Sequence, residues 1–175
     1  MLEVSLFAGS RVLDCWNLRN GVPILTAIGR YMDPYVDARE LAHLFGRFEY
    51  ALKRSGHLKK GRKDAQADWE SFANAIGEPF FAEVVSDRVA DTLINEPPRK
   101  LMADLSWQPE QSSPLTDVLQ LFVQGVCRVR NSYIHHEKFV SEGDQWERDA
   151  VLVHEALAVL RRAETKNVVE LPNAL

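Results

Sequence analysis

The sequence predicts an all-helical fold, and three observations predict it. Apolar residues recur at steps of three and four through several long segments, and helix start and stop residues bracket those segments. Period-two alternation is confined to Leu2, Val4 and Leu6 against Glu3 and Ser5. With 175 residues, 46% of them apolar, the chain has the length of one domain and enough apolar side chains for a substantial core. The expected division is an N-terminal extension of unassigned structure over 1–32, a bundle of four to five main helices over 33–167, and a C-terminal tail over 168–175.

The first helix has Asp33 as a cap, Pro34 at its first helical position and Gly56 as its stop. Leu41, Leu44, Phe45, Phe48 and Leu52 give it one apolar face. Lys53, Arg54, Lys59, Lys60, Arg62 and Lys63 around Gly56 and Gly61 read as a basic loop. A second helical region runs through Trp69, Phe72, Ala73 and Ile76, breaks near Gly77 and Pro79, and resumes through Phe81, Val84, Val85, Val89 and Leu93 until Pro97 and Pro98 stop it. From Pro98 to Pro114 a long connection is expected, with at most one short turn of helix. Leu115, Val118, Phe122, Val126, Val129 and Tyr133 then mark a long helix. Asp144 with Glu147 three residues later opens a last one, whose apolar face is Trp146, Ala150, Val153, Leu157 and Leu160. Trp69, Trp107 and Trp146 read as core anchors.

Several function classes are set aside by composition. Cys15 and Cys127 lie far apart without a CxxC spacing, which suggests neither a disulfide framework nor a zinc site and points to a reducing, cytoplasmic setting. No window approaches the ~18 consecutive apolar residues of a membrane helix, and the N-terminus has no basic region ahead of an apolar run, so no membrane association is expected. A net charge of −4 argues against nucleic-acid binding through the overall field and shifts attention to local patches. His43, His57 and His154 lack convergent ligand spacing; no metal site is expected, and these histidines read as structural or surface residues.

Chemistry concentrates in "VRNSYIHHEKF", residues 129–139, where Arg130, Asn131, His135, His136 and Lys138 follow the apolar stripe of the long helix. Cutting RNA without a metal requires removing a 2'-hydroxyl proton, stabilising charge on phosphorus and protonating the leaving 5'-oxygen. Imidazole titrates near neutral pH, and guanidinium grips phosphate oxygens as a fork. Asn131 and His135 are an i, i+4 pair, so the amide can orient the ring. The neighbouring arginine disfavours a protonated ring and so favours a base. On a regular helix Arg130 lies about 140° from His135, and Arg128 only about 20°. Helical geometry alone therefore selects Arg128.

In this order, "RFEYALKRSG", "DWESFA", "PPRKL", the tryptophan of "LSWQP" and above all "VRNSYIH" resemble the HEPN superfamily, near its branch of small all-helical proteins. The family motif of Arg, a polar residue that is often Asn, three variable residues and His falls on Arg130, Asn131 and His135, and the similarity spans about residues 33 to 165. The resemblance implies a HEPN-like helical bundle forming a homodimer, with a composite active site where two motif helices meet. It implies a metal-independent endoribonuclease, a toxin-like or antiviral-defence RNase of bacterial type that needs no cofactor, with RNA as substrate and a possible regulatory or antitoxin partner. It assigns Arg130, Asn131 and His135 to catalysis. Arg128, His136 and Lys138 would bind substrate beside them, and so would Lys59, Lys60, Arg62 and Lys63 of the basic loop. Relatives of this branch often continue the motif as His-Gly-Gly-Lys, whereas His136 and Glu137 precede Lys138 here. Glu137 also occupies the place of the tyrosine at which toxin members are silenced by nucleotidyltransferase partners. A composite site further implies that the helix face around Gly125 and Arg128 is exposed toward the twofold mate, with Arg130 and His135 at a polar helix end outside the core. The other function class is a non-catalytic HEPN module that binds RNA or nucleotide, or scaffolds a partner protein.

Overall fold

The computed structural model describes residues 24–25, 31–32, 34–134 and 144–172. The chain forms two compact units, Met1–Asp33 and Pro34–Leu175. In the first, β1 (Ile24–Leu25) pairs antiparallel with β2 (Tyr31–Met32), Ile24 opposite Met32. The alternation at Leu2, Val4 and Leu6 lies outside the described residues.

The second unit is built of helices. α1 (Pro34–Arg54) buries all five of its expected apolar residues, together with Ala38 and Ala51. It ends where Gly56 takes φ +85° and the His57 N–H reaches back to the Leu52 carbonyl at 2.9 Å. That is a Schellman-type stop, which a residue without Cβ adopts at least cost. The basic segment is not a plain loop. Leu58 bridges Ala67, and the N–H groups of Lys59 and Asp68 donate to the carbonyls of Gln66 and His57, so residues 57–68 fold as a hairpin. The Asp68 carboxylate then accepts from the N–H groups of Glu70 and Ser71, starting α2 (Trp69–Ile76).

Gly77 (φ +78°) breaks α2 from α3 (Glu78–Ser86), as the Gly–Glu–Pro sequence predicts. The resumed helix is shorter than expected. It stops at Ser86, a turn through Arg88 (φ 53°) intervenes, and α4 (Asp91–Asn95) follows, leaving Val85 46% exposed. The expected long connection between Pro98 and Pro114 holds an antiparallel hairpin, β3 (Lys100–Leu101) with β4 (Trp107–Gln108), and no helical turn. Trp107 is half-buried there, whereas Trp69 is fully in the core; the Trp146 side chain is outside the described residues.

The long helix is continuous but changes pitch. α5 (Val118–Gln120) is capped by Asp117, whose carboxylate accepts from the Gln120 N–H at 2.7 Å. A π-helical stretch, Leu121–Val126, follows and leads into α6 (Cys127–Ile134). Leu115, Val118, Phe122, Val126 and Val129 are buried as expected. Gly125 is buried too: a Cβ there would sit 3.3 Å from Leu115 and 3.4 Å from Leu93. The expectation that the helix face at Gly125 is exposed for a second subunit is therefore wrong, because this glycine lets α4 and the π segment approach each other. α7 (Asp144–Glu164) lies along α1, burying Ala150, Val153, Leu157 and Leu160, and residues 168–172 fold back so that Val169 is buried and the Pro172 carbonyl accepts from Arg47 Nε at 2.8 Å.

Stacked rings run through the core. Phe45 lies on Trp69 with centroids 4.6 Å apart, Trp69 on Phe122 at 6.1 Å, and Phe122 on Phe80 at 5.7 Å, so one column joins α1, α2, the π segment and α3. Phe72 meets Phe48, Trp69 and Phe122 edge-on.

Candidate functional site: a groove beside the motif helix

The outer end of the aromatic column is closed by Arg130, whose guanidinium carbon lies 4.9 Å from the Phe45 ring centroid. Arg130 is thus half-buried against α1, with Nε enclosed and without a hydrogen-bond partner among the described residues, and Nη1 donating to Asn131 Oδ1 at 3.1 Å. Arg130 stays outside the buried core, as expected of a polar helix end, but it packs on the core ring Phe45 instead of standing free. A delocalised cation on an aromatic face keeps favourable electrostatics where water is excluded.

Next to it opens a groove of about 480 Å³. One wall is a row at spacing four along α1, Phe45, Glu49 and Lys53, and the facing wall is a second such row, Val123, Cys127 and Asn131. The hairpin closes one side with Lys59, Gln66 and Ala67, and Trp69 and Glu70 begin α2 at the same place. Among the described residues Glu49, Lys53 and Lys59 make no ion pair or side-chain hydrogen bond, and the Asn131 amide nitrogen donates to nothing. Desolvation pushes the Cys127 thiol up to about 12; the Glu49 charge adds to the rise, while Arg130 and Lys59 oppose it. Cys127 is therefore a neutral wall residue at physiological pH, not a nucleophile.

The remaining sequence-predicted site residues divide. Arg128 points away from the groove, with Nη1 3.5 Å from the Pro98 carbonyl, and its burial lowers its pKa from the ordinary arginine value. Two residues along an α-helix turn about 160° apart, and the π segment ends before both, so Arg128 and Arg130 diverge. Lys59 reaches the groove; Lys60, Arg62 and Lys63 are exposed on the hairpin and do not line it. His135, His136 and Lys138 lie outside the described residues, immediately beyond the end of α6 at Ile134. Of the other histidines, His57 Nδ1 is 2.8 Å from Ser71 Oγ and His154 Nδ1 is 2.7 Å from Asp37, while His43 is exposed.

Sequence reasoning passed over Phe45 as the seat of the arginine and treated Lys53 as loop. A signal existed in the two four-residue rows, but a row states only that its members share a helix face. Which two faces meet is tertiary information.

Among the described residues no cluster of three or more His, Cys, Asp or Glu side chains could hold a metal ion, and no helix is long and apolar enough to cross a membrane. Comparison with protein-family models, curated proteins and solved structures finds no match to this chain.

Proposed function

We propose that the chain is a metal-independent endoribonuclease of HEPN type, acting as a homodimer in a bacterial defence or toxin-like role. The observation that carries the reading is the placement of Arg130: a cation held by Phe45 and bonded to Asn131, five positions before His135 in the sequence and beside a groove whose two lysines are unpaired among the described residues. In the proposed reaction His135 takes the proton of the RNA 2'-hydroxyl, and the 2'-oxygen bonds to phosphorus. The phosphorus–5'-oxygen bond breaks, and the His135 imidazole of the second copy in the homodimer, in its protonated form, gives its proton to the departing oxygen. The products are a 2',3'-cyclic phosphate and a 5'-hydroxyl. Arg130 neutralises charge on the phosphorane, and its bond to Asn131 fixes the fork.

The test is RNA incubated with the purified protein in EDTA, with fragment ends mapped. Cyclic-phosphate ends that vanish in His135→Ala support the proposal; parental cleavage by a folded His135→Ala protein overturns it. A second reading, a non-catalytic HEPN module that binds RNA or nucleotide or scaffolds a partner, is favoured by the same arginine, since a guanidinium packed on Phe45 already has a structural task.

A further inference from the structure

The groove contains a feature that a simple phosphate track does not need. Glu49 lines it half-buried, unpaired among the described residues, although Lys53 and Lys59 share the cavity with it. A carboxylate repels phosphate, so its place here fits a different part of a nucleotide. We infer that the groove binds a guanine base, with the Glu49 carboxylate reading its Watson–Crick edge.

The chemistry discriminates among the four bases. An ionised carboxylate only accepts hydrogen bonds, through two oxygens side by side. Guanine offers adjacent donors, N1–H and the N2 amino group, which match those oxygens as a bidentate pair. Adenine places the N1 acceptor beside its amino group, and uracil flanks its single N3–H with two carbonyls. Cytosine gives one amino donor beside an acceptor. Guanine also presents O6 and N7 as acceptors, and the free Asn131 amide nitrogen and the Lys53 and Lys59 amines supply donors within the same cavity.

Recognition runs through base edges and not through stacking, because the ring surfaces are already committed. Phe45 is engaged by Arg130 and Trp69, and Trp69 lies between Phe45 and Phe122. At about 480 Å³ the cavity has the size of small-ligand sites, which run roughly 300–1,000 Å³. It admits one nucleotide and not a duplex, which requires single-stranded RNA or a free nucleotide.

The inference gains its biological meaning from the ribonuclease reading, because Asn131 on the groove wall adjoins Arg130. A base held there places its own phosphate next to the motif and makes the enzyme cut beside guanine. The experiment uses the full-length protein and has two arms. In the first, binding of guanosine 3'-monophosphate and adenosine 3'-monophosphate is measured calorimetrically for the parent and for Glu49→Gln, which keeps size and helix propensity. Guanine is expected to be preferred at least tenfold by the parent, the lower range of what a bidentate contact discriminates, and Glu49→Gln should erase the preference while leaving the circular dichroism spectrum unchanged. Equal binding of the two nucleotides by the parent, or an unchanged preference in Glu49→Gln, overturns the inference. In the second arm, cut sites are mapped on single-stranded RNA. Cleavage that depends on His135 but ignores guanine removes the base site and leaves the nuclease; Glu49-dependent guanosine 3'-monophosphate binding without cleavage keeps the base site and removes the nuclease.

Discussion

Charged side chains along α7 and around the groove are treated in opposite ways. On the α7 face, Arg161 pairs with Glu40, Arg162 with Glu83 and Asp87, Lys166 with Glu83, Glu164 with Arg47, and Arg148 with Glu96. His154 meets Asp37 there, and Glu155 accepts from the backbone N–H groups of Thr92 at 3.2 Å and Leu93 at 2.6 Å, closing the N-terminus of α4. In the groove, Glu49, Lys53 and Lys59 stand within one cavity without pairing among the described residues. The contrast separates charge that is paired within the fold from charge that, on the proposed reading, is left for a ligand. Paired charges link α7 to α1, α3 and α4, whereas unpaired ones hold a field that an incoming molecule can satisfy.

The largest effect is expected where the two uses meet. Arg130→Ala and His135→Ala should each reduce RNA cleavage by roughly two orders of magnitude or more, and Asn131→Ala by less, measured as initial rates in EDTA. Arg130→Ala should also lower stability by about 0.5–2 kcal/mol in chemical denaturation, because it uncovers Phe45. Arg130→Lys keeps a cation but loses the fork and should keep more stability than activity. A variant equally damaged in both would make Arg130 a packing residue and move it to the α7 side of the comparison.

How much of this was readable beforehand depends on which physical term decides each element. α1 and the buried residues of the long helix were legible, since apolar spacing, Pro34 and Gly56 act locally. The π-helical turn was not, because Leu121, Phe122 and Val126 satisfy a three-and-four spacing whether the backbone bonds run to i−4 or to i−5. The β3–β4 hairpin is too short for alternation to show. Arg130 and Asn131 were singled out by motif, yet the destination of the arginine was not legible. Nothing near position 130 says that Phe45, eighty-five positions earlier, turns a ring face toward it. Arg128, the residue chosen by helical geometry alone, goes to the Pro98 carbonyl, which likewise required the tertiary fold.

The hairpin sharpens the comparison with a smaller, ionic effect. Neutralising Lys59, Lys60, Arg62 and Lys63 together should weaken RNA binding and make its log–log salt dependence shallower by ~0.7 for each phosphate contact removed from a single strand. Turnover at saturating RNA should hardly change. Neutralising Arg161, Arg162 and Lys166, whose charges are already paired, should leave the slope as it was. Titrations at several salt concentrations check both, and equal slopes for the hairpin variant and the parent would remove the hairpin from the RNA path.

Glu155 offers a test of a half-buried hydrogen-bond acceptor that serves the fold. Removing it as Glu155→Ala leaves the Thr92 and Leu93 N–H groups without their acceptor and should cost about 1–3 kcal/mol. Desolvation raises the Glu155 carboxyl above its ordinary value, with the backbone hydrogen bonds opposing that rise. The folded state therefore holds the proton to a higher pH than the unfolded chain, whose glutamate titrates near ~4.3. Its contribution to stability is greatest below that unfolded value, declines as pH rises through the folded value, and is level above it. Glu155→Gln keeps an acceptor oxygen and should remove this decline, seen as a smaller fall in Tm between about pH 4 and pH 7 than the parent shows. An identical pH profile for the two proteins would mean that another group carries the dependence.

The smallest effect belongs to the paired surface charges themselves. Arg162 Nη1 lies 2.9 Å from Glu83 Oε1, Lys166 shares that carboxylate, and all three side chains are about one-third exposed. Water and salt screen such pairs, and holding long side chains in one geometry takes entropy from the gain. A double-mutant cycle of Arg162→Ala and Glu83→Ala should therefore return a coupling of only about 0.2–1 kcal/mol, shrinking further in high salt. The presence of Lys166 should shrink it again, because Glu83 keeps a second cation after Arg162 is lost. RNA cleavage by all three variants should equal that of the parent. If any of them instead shifts the salt dependence of RNA binding as the hairpin variant does, the α7 face carries ligand as well as fold, and the division between paired and unpaired charge fails.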